Sequence, residues 1–205
     1  MEKPNAVAVN HPFQIIGYHS CDRDVGLSVL NGEMDLKPSN NSWDWLGPGI
    51  YFWEHDPLRS LTYAIENAKG AQFNSQPIEK PFVLGAIIEL GNCLNLVESE
   101  SLEIIAEAYI GLQKLYDVLK MPMPLNNGDN RSLDCEVIKF IHQANKMESQ
   151  PGFQTVRSAF QQGDEVYPGA SFSARHHLQV CVLDKSVIKG YFLPRPIEDF
   201  NPNLH

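Results

Sequence analysis

The sequence predicts an α+β protein, in which a mixed, largely antiparallel β-sheet carries flanking helices and a two-helix insertion. Two strand-then-helix units open the chain, an apolar run at residues 82–90 is typical of a buried strand, and helical periodicity dominates residues 98–146. With 205 residues, 43% of them hydrophobic, the chain is long enough to build one buried core. We therefore expect a single domain over residues 1–205.

The first unit is a strand predicted at residues 13–20, which ends in a polar ring, His19. A helix follows from Asp22, a capping residue, to Gly32, where a glycine favours termination. His19 is thus expected close to the point where the strand meets the helix.

The second unit begins with Gly-Pro-Gly at residues 47–49, which predicts a tight turn. The β-branched and aromatic residues after it predict a strand that carries Tyr51. Asp56, followed by a proline, predicts the start of a helix that runs to about residue 70. On that helix Ser60 and Tyr63 lie three residues apart and share a face. Both tyrosines are equally compatible with core aromatic residues.

Three short motifs carry a family resemblance, namely Tyr18-His19-Ser20, Gly49-Ile50-Tyr51-Phe52 and Ser60-Leu61-Thr62-Tyr63-Ala64. Taken in this order, they resemble the NAD-binding core of the ADP-ribosyltransferases, in the branch shared by diphtheria-type toxins and poly(ADP-ribose) polymerases. The resemblance covers residues 13–70 and depends on the order and spacing of the motifs. It implies a split mixed or antiparallel sheet, with NAD as the substrate and no metal.

Members of that family have a histidine, a tyrosine and a glutamate on three strands. By position, the resemblance implies that His19 bonds a ribose hydroxyl and that the Ser20 backbone holds the nicotinamide amide. It implies that Tyr51 and Tyr63 enclose the nicotinamide ring and that Ser60 bonds its amide.

The position of the family's glutamate falls on Gln179, in a strand predicted at residues 178–184. A glutamine can bond a ribose hydroxyl, but it offers no anion to the oxocarbenium-like charge that develops as nicotinamide leaves. Relatives without this glutamate are mono-transferases or inactive, so chain elongation is not expected. We expect Glu54 on the same strand face as Tyr51, where it would supply the missing carboxylate. A solvated surface glutamate is the alternative.

Two connections are expected to border the site. In the resembled family the connection at residues 33–46 covers the adenosine, so Trp43 or Trp45 would cover the adenine, unless both pack against the core. The segment before the last site strand helps to choose the acceptor, which makes Arg175, His176 and His177 candidates for acceptor or phosphate contacts. Arg175 would bind the NAD pyrophosphate through its guanidinium fork, and a solvated strand edge is the alternative.

The remaining segments are assigned by pattern. Residues 98–148 predict an antiparallel two-helix insertion, with Ser132 as the cap of its second helix. The insertion would either bind an acceptor or partner or support the sheet. Residues 153–160 predict a short helix, residues 187–193 a strand, and the tail from Pro194 an extended segment fastened to the surface.

Composition narrows the function classes. A formal charge of −9, with 16 Lys and Arg against 25 Asp and Glu and no basic cluster, argues against broad phosphate-backbone binding. An acceptor nucleotide read by stacking is still compatible with it. Four separated cysteines predict reduced thiols rather than a zinc site. Residues 1–10 lack a secretory signal core and no apolar run approaches a membrane span, so we expect a cytoplasmic protein.

The resemblance implies an NAD-dependent mono-ADP-ribosyltransferase that modifies a protein, RNA or DNA acceptor and releases nicotinamide. An NAD glycohydrolase on the same site, or a catalytically silent NAD- or ADP-ribose-binding interaction module, are the alternatives. By fold-level analogy, the setting would be a bacterial toxin of a toxin–antitoxin or anti-phage system, with an antitoxin protein that blocks the cleft.

Overall fold

The structure of the protein, a computed structural model, describes residues 10–70 and 77–204. The predicted lack of a secretory signal concerns residues 1–10, of which 1–9 lie outside the described residues. The elements are β1 (Asn10–Asp22), α1 (Arg23–Leu30), β2 (Ile50–Glu54), α2 (Pro57–Ala68), β3 (Pro81–Asn95), α3 (Ser99–Leu119), β4 (Asn126–Asn127), β5 (Asn130–Arg131), α4 (Ser132–Met147), β6 (Thr155–Phe160), β7 (His177–Val182), a 3-10 turn (Lys185–Val187), β8 (Ile188–Phe192) and α5 (Ile197–Phe200).

Six strands form one mixed sheet, which confirms the predicted α+β class. Strand β1 pairs antiparallel with β2, β2 with β7, and β7 with β6. The long strand β3 pairs antiparallel with β1 and, through its last three residues, parallel with β6. Five strands therefore close into a ring, and β8 is attached outside it along β3. Gly91 has a φ of 60° just before β3 turns from β1 to β6, a conformation that glycine adopts without a steric penalty.

Two apolar clusters lie on the two faces of the sheet. The first contains Phe52 and Ile88 from the strands, with Val29 from α1 packed on them. The second contains Leu112 and Ile138 from the insertion helices, together with sheet residues. Side chains alternate along a strand, so neighbouring residues of β2 contribute to different clusters. The insertion is thus packed on the sheet by a shared apolar core.

The two strand-then-helix units agree with their predictions. The Asp22 carboxylate accepts the backbone N–H of Asp24 at 3.0 Å, and α1 begins after it. The Asp56 carboxylate likewise accepts the N–H of Arg59 at 2.8 Å, with a proline at the first position of α2. Gly47 has a φ of 76° in the turn before β2. Local sequence therefore sets these boundaries.

The insertion consists of α3 and α4, joined by the short hairpin of β4 and β5. The prediction that Ser132 caps α4 was wrong, because Ser132 is the first helical residue. The Asn126 side chain instead accepts the N–H groups of Leu133 and Asp134 at 3.0 and 3.3 Å. The hairpin makes this possible by folding Asn126 back over the helix start. No helix in the described part of the chain combines the length and apolarity that a bilayer crossing requires.

The predicted helix at residues 153–160 was also wrong, since residues 155–160 form strand β6. Thr155 and Val156 are completely buried, with β3 on one side of the strand and β7 on the other. Both residues are β-branched, which favours a strand, and pairing with β3 and β7 outweighs the weak local helical pattern.

The chain end is fastened to the sheet, as predicted, but it contains the short helix α5 rather than being extended throughout. The buried Asn201 side chain accepts the Val83 N–H at 2.8 Å and donates to the Val83 carbonyl at 3.0 Å. Pairing with β8 starts only at Gly85, so the Asn201 amide takes the place of a neighbouring strand at Val83.

Glu54 does not share a face with Tyr51, so that expectation was wrong. The two residues are three positions apart, and strand side chains alternate. Glu54 forms a two-point ion pair with Arg157 of β6, at 2.6 and 2.9 Å, and its side chain is 7% exposed. Asn95 accepts from the same guanidinium at 3.2 Å. The pair joins β2 to β6 across the intervening strand β7.

Replacing Glu54 by glutamine should lower the free energy of unfolding by about 3 kcal/mol, because the Arg157 guanidinium is then buried without its counter-charge. Urea denaturation measures this change. The matched control Asp35→Asn removes an exposed pair with Lys185, and it should cost less than about 1 kcal/mol. Wild-type stability in the Glu54 variant would contradict a structural role for the pair.

Candidate functional site

A cavity of about 300 Å³ opens where β1, β2 and β7 lie side by side. This volume is at the lower end of those found for small-molecule sites, about 300 to 1,000 Å³. The wall is completed by the connection between α1 and β2, by α2, and by the loop between β6 and β7. Of the predicted site residues, the wall contains His19, Ser20, Tyr51, Tyr63, Arg175 and Gln179.

His19 is joined to β2 through the backbone of Tyr51. In the pairing of β1 with β2, Gly17 lies opposite Glu54 and Tyr18 lies opposite Trp53. His19 is the next residue of β1. Its Nδ1 lies 2.8 Å from the Tyr51 carbonyl oxygen. A carbonyl can only accept, so Nδ1 carries the proton and Nε2 of the neutral ring is an acceptor. Burial lowers the pKa of His19, and the bond to Tyr51 offsets part of that effect.

The Tyr51 hydroxyl is engaged with the turn that precedes its own strand. It donates to the Gly47 carbonyl at 2.7 Å and accepts the Leu46 N–H at 2.9 Å. Burial raises the pKa of Tyr51 well above its ordinary value, and the charge of Asp44 adds to this effect. Tyr51 therefore offers the cavity a neutral ring held in position at both ends.

Tyr63 reaches the cavity from α2 and packs against Trp53, with ring centroids 4.9 Å apart. Trp53 lies two residues after Tyr51 on β2 and is 4% exposed. Because alternate strand residues share a face, Tyr51 and Trp53 both face the cavity. Tyr51, Trp53 and Tyr63 thus form one aromatic part of the cavity wall.

Ser20 and Ser60 bind each other instead of presenting free hydroxyls. Their Oγ atoms are 2.9 Å apart, and Ser20 Oγ also donates to the Ser60 carbonyl. Ser60 is completely buried, and among the described cavity-lining residues neither Ser60 nor Glu54 is present. The serine pair joins α2 to β1 behind the cavity wall.

Gln179 lies on β7 opposite Trp53 of β2 and in the wall of the cavity. Arg175 is also in the wall, where its Nη2 donates to Glu66 at 2.8 Å. His176 and His177, predicted with it, are not among the described wall residues. His177 is buried, and its Nδ1 donates to the Arg175 carbonyl at 2.6 Å. Of these three residues, Arg175 is thus the one that the described cavity wall contains.

The two tryptophans of the connecting segment have different environments. Trp45 donates its indole N–H to the Asp129 carbonyl at 2.7 Å and packs on Phe160, with ring centroids 4.5 Å apart. Trp43 is 45% exposed at the cavity wall. Both tryptophans line the cavity, but Trp45 is engaged by Asp129 and Phe160, whereas Trp43 offers the more exposed aromatic surface.

Sequence reasoning missed several wall residues, among them Trp53, Arg59, Glu66 and Gln162. Arg59 and Glu66 could have been found, because they lie four residues before and three after Tyr63 and so share its helix face. Gln162 carries no such signal, since only the path of the loop between β6 and β7 brings it to Arg59.

Comparisons of the chain with protein-family models, with curated proteins and with solved structures gave no match. A functional assignment therefore has to be argued from the site itself.

The free energy of unfolding should decrease as the pH is lowered from about 6.5 towards 5, because three histidines resist protonation in the folded protein. Burial lowers the pKa of His19, His142 and His177. The unfolded chain, with values near 6.5, then binds protons that the folded chain does not, and stability is lost as the pH falls through the folded pKa values. Urea denaturation across this range checks the slope. A His142→Gln variant should show a smaller slope, and an unchanged slope would contradict the argument.

Proposed function

We propose that the protein is an NAD-dependent mono-ADP-ribosyltransferase, which transfers ADP-ribose to a macromolecular acceptor and releases nicotinamide. The observation that supports the proposal is that adjacent strands β1, β2 and β7 bring His19, Tyr51 and Gln179 to one cavity. This is the strand arrangement that the resemblance implies for the histidine, the tyrosine and the third site residue. Tyr63 joins them from the helix after β2.

The proposed donor pose follows from the hydrogen bonds of the wall. Neutral His19 would accept a ribose hydroxyl at Nε2, because its Nδ1–H is already given to the Tyr51 carbonyl. The nicotinamide ring would lie between Tyr51 and Tyr63, and the contact with Trp53 would hold the Tyr63 ring in position. Trp43, exposed at the wall, would stack on the adenine.

In this pose the protein would act by orientation and by polar contacts. The glycosidic bond of the nicotinamide riboside breaks, its electron pair leaves with nicotinamide, and the acceptor attacks the anomeric carbon. Gln179 would bond a ribose hydroxyl without adding a negative charge. Because Gln179 is neutral, we expect transfer of a single ADP-ribose rather than growth of a chain.

Two observations favour a second candidate, a silent module that binds NAD or ADP-ribose. Gln179 is neutral, and Glu54 is held by Arg157 on the other strand face. The Ser60 hydroxyl, which the resemblance implies for the nicotinamide amide, is taken by Ser20. Binding without bond cleavage is compatible with both.

Incubation with NAD labelled in its adenosine part, with and without cell protein or RNA, tests the proposal. Label on a macromolecule, together with free nicotinamide, is the expected result. Free nicotinamide with unbound label would indicate an NAD glycohydrolase. Measurable NAD binding with no nicotinamide release would indicate the silent module, and no binding at all would remove the assignment.

Tyr51→Ala should weaken NAD binding at least about tenfold, because ring stacking is worth about 1–3 kcal/mol. Tyr51→Phe is the matched control, since it keeps the ring and removes only the hydroxyl bonds to the turn. Gln179→Ala should reduce turnover more mildly than Tyr51→Ala. Calorimetric titration and nicotinamide release measure the two effects. Equal NAD affinity in the alanine and phenylalanine variants would exclude the stacked pose.

A further inference from the structure

Four side chains form a charged corner of the cavity that the proposed donor pose does not use. Arg59 and Glu66 come from α2, and Gln162 and Arg175 come from the loop between β6 and β7. We call this set, Arg59, Glu66, Gln162 and Arg175, the guanidinium corner. It lies beside Gln179 of β7, whereas the wall around β1 contains Asp22.

Of the two arginines in the guanidinium corner, the guanidinium of Arg175 has a carboxylate oxygen at hydrogen-bond distance, whereas that of Arg59 has none among the described residues. Glu66 Oε1 accepts from Arg175 Nη2 at 2.8 Å, but its Oε2 is 3.9 Å from Arg59 Nη1, beyond hydrogen-bond length. The Asp56 carboxylate, also nearby, is occupied as the cap of α2. Glu66 is thus shared by the two guanidinium groups, the charge of Asp56 also acts on Arg59, and Asp129 accepts from Gln162 Nε2 at 3.2 Å.

Two members of the corner are incompletely paired among the described residues, namely Arg59 and, at its Oε2, Glu66. The Arg59 side chain is 10% exposed, and its Nε and Nη1 are buried without a hydrogen-bond partner among the described residues. Its Nη2 has a long bond of 3.3 Å to Gln162 Oε1. Trp53 lies against the guanidinium face, 5.9 Å from ring centre to Cζ, which leaves the in-plane donors unpaired. Leaving a buried donor unpaired is energetically costly, and more so for a charged group.

The donors of Arg59 require an anion with several acceptor oxygens. A guanidinium presents two parallel N–H groups, which match the oxygens of a phosphate in a two-point contact. A phosphate has enough oxygens to reach Arg59 and Arg175 at once, whereas Glu66 accepts from Arg175 at Oε1 and leaves its Oε2 3.9 Å from Arg59 Nη1, too far for a hydrogen bond. We propose that the guanidinium corner binds a phosphate group, which replaces the long Gln162 contact of Arg59.

The electrostatics of the corner agree with this assignment. Burial lowers the pKa of Arg59, and the charge of Arg175 acts in the same direction, while the charges of Glu66 and Asp56 oppose them. A bound phosphate would oppose them further and would stabilise the buried cation. Its source is either the diphosphate of a dinucleotide in the same cavity or a phosphate on a second molecule.

The proposal does not depend on NAD turnover, because inorganic pyrophosphate and phosphate serve as probes. Calorimetric titration of the full chain, at constant ionic strength in chloride, should give saturable binding. Arg59→Gln should weaken that binding at least about tenfold, the loss expected for a charge-assisted bond of about 1.5–3 kcal/mol. The matched control Arg195→Gln changes an exposed arginine outside the described cavity wall, and it should bind like the wild type.

Arg59→Lys guards against a folding defect in the glutamine variant. It keeps the charge but loses the planar fork, so it should bind with intermediate affinity. Wild-type pyrophosphate affinity in Arg59→Gln and Arg59→Lys, or no saturable binding by the wild type, would overturn the proposal.

A repeat of the titration with saturating NAD identifies the source of the phosphate. Competition between NAD and pyrophosphate assigns the corner to a dinucleotide diphosphate, and simultaneous binding assigns it to a second, phosphate-bearing molecule. Pyrophosphate binding without NAD binding would refute the transferase and retain the corner. NAD turnover by the wild type, together with undiminished pyrophosphate affinity in Arg59→Gln, would retain the transferase and refute phosphate binding at the corner.

Discussion

The hydrogen bond from His19 Nδ1 to the Tyr51 carbonyl connects β1 to β2 at the cavity. It places the imidazole proton on Nδ1 of His19, and it holds the backbone of Tyr51, whose ring lines the cavity. The Tyr51 hydroxyl then holds the turn at Gly47, from which the strand begins. At this one contact, β1 meets β2, the tautomer of His19 is set and the backbone that carries the Tyr51 ring is held.

The polar groups around this contact divide into two kinds. Some are saturated and join elements, such as the Ser20–Ser60 pair and the Glu54–Arg157 ion pair. Arg59, in contrast, is buried at the cavity wall with two nitrogens that have no hydrogen-bond partner among the described residues. Because buried polar groups are nearly always paired, the saturated groups explain how the elements are joined, and Arg59 is the group on which the proposed phosphate site rests.

Local chemistry predicted much of the fold and part of the cavity wall. The capping carboxylates of Asp22 and Asp56 set the starts of α1 and α2, since a cap acts on N–H groups within three residues. The convergence of Tyr51 and Tyr63 could be anticipated from motif order, but Gln162 could not. Its place beside Arg59 depends on how a loop of sixteen residues between β6 and β7 folds back.

The sequence alone determined the α+β class, the first two strand-then-helix units and the residues that meet at the ends of β1 and β2. Those features follow from interactions between near neighbours along the chain. Only the tertiary structure decided that residues 155–160 form a strand, that Glu54 pairs with Arg157, and that Ser60 is turned away from the cavity. The partner of Ser60 lies 40 residues away, that of Glu54 lies 103 residues away, and β6 forms between β3 and β7, so the outcome depends on which surfaces meet when the sheet closes.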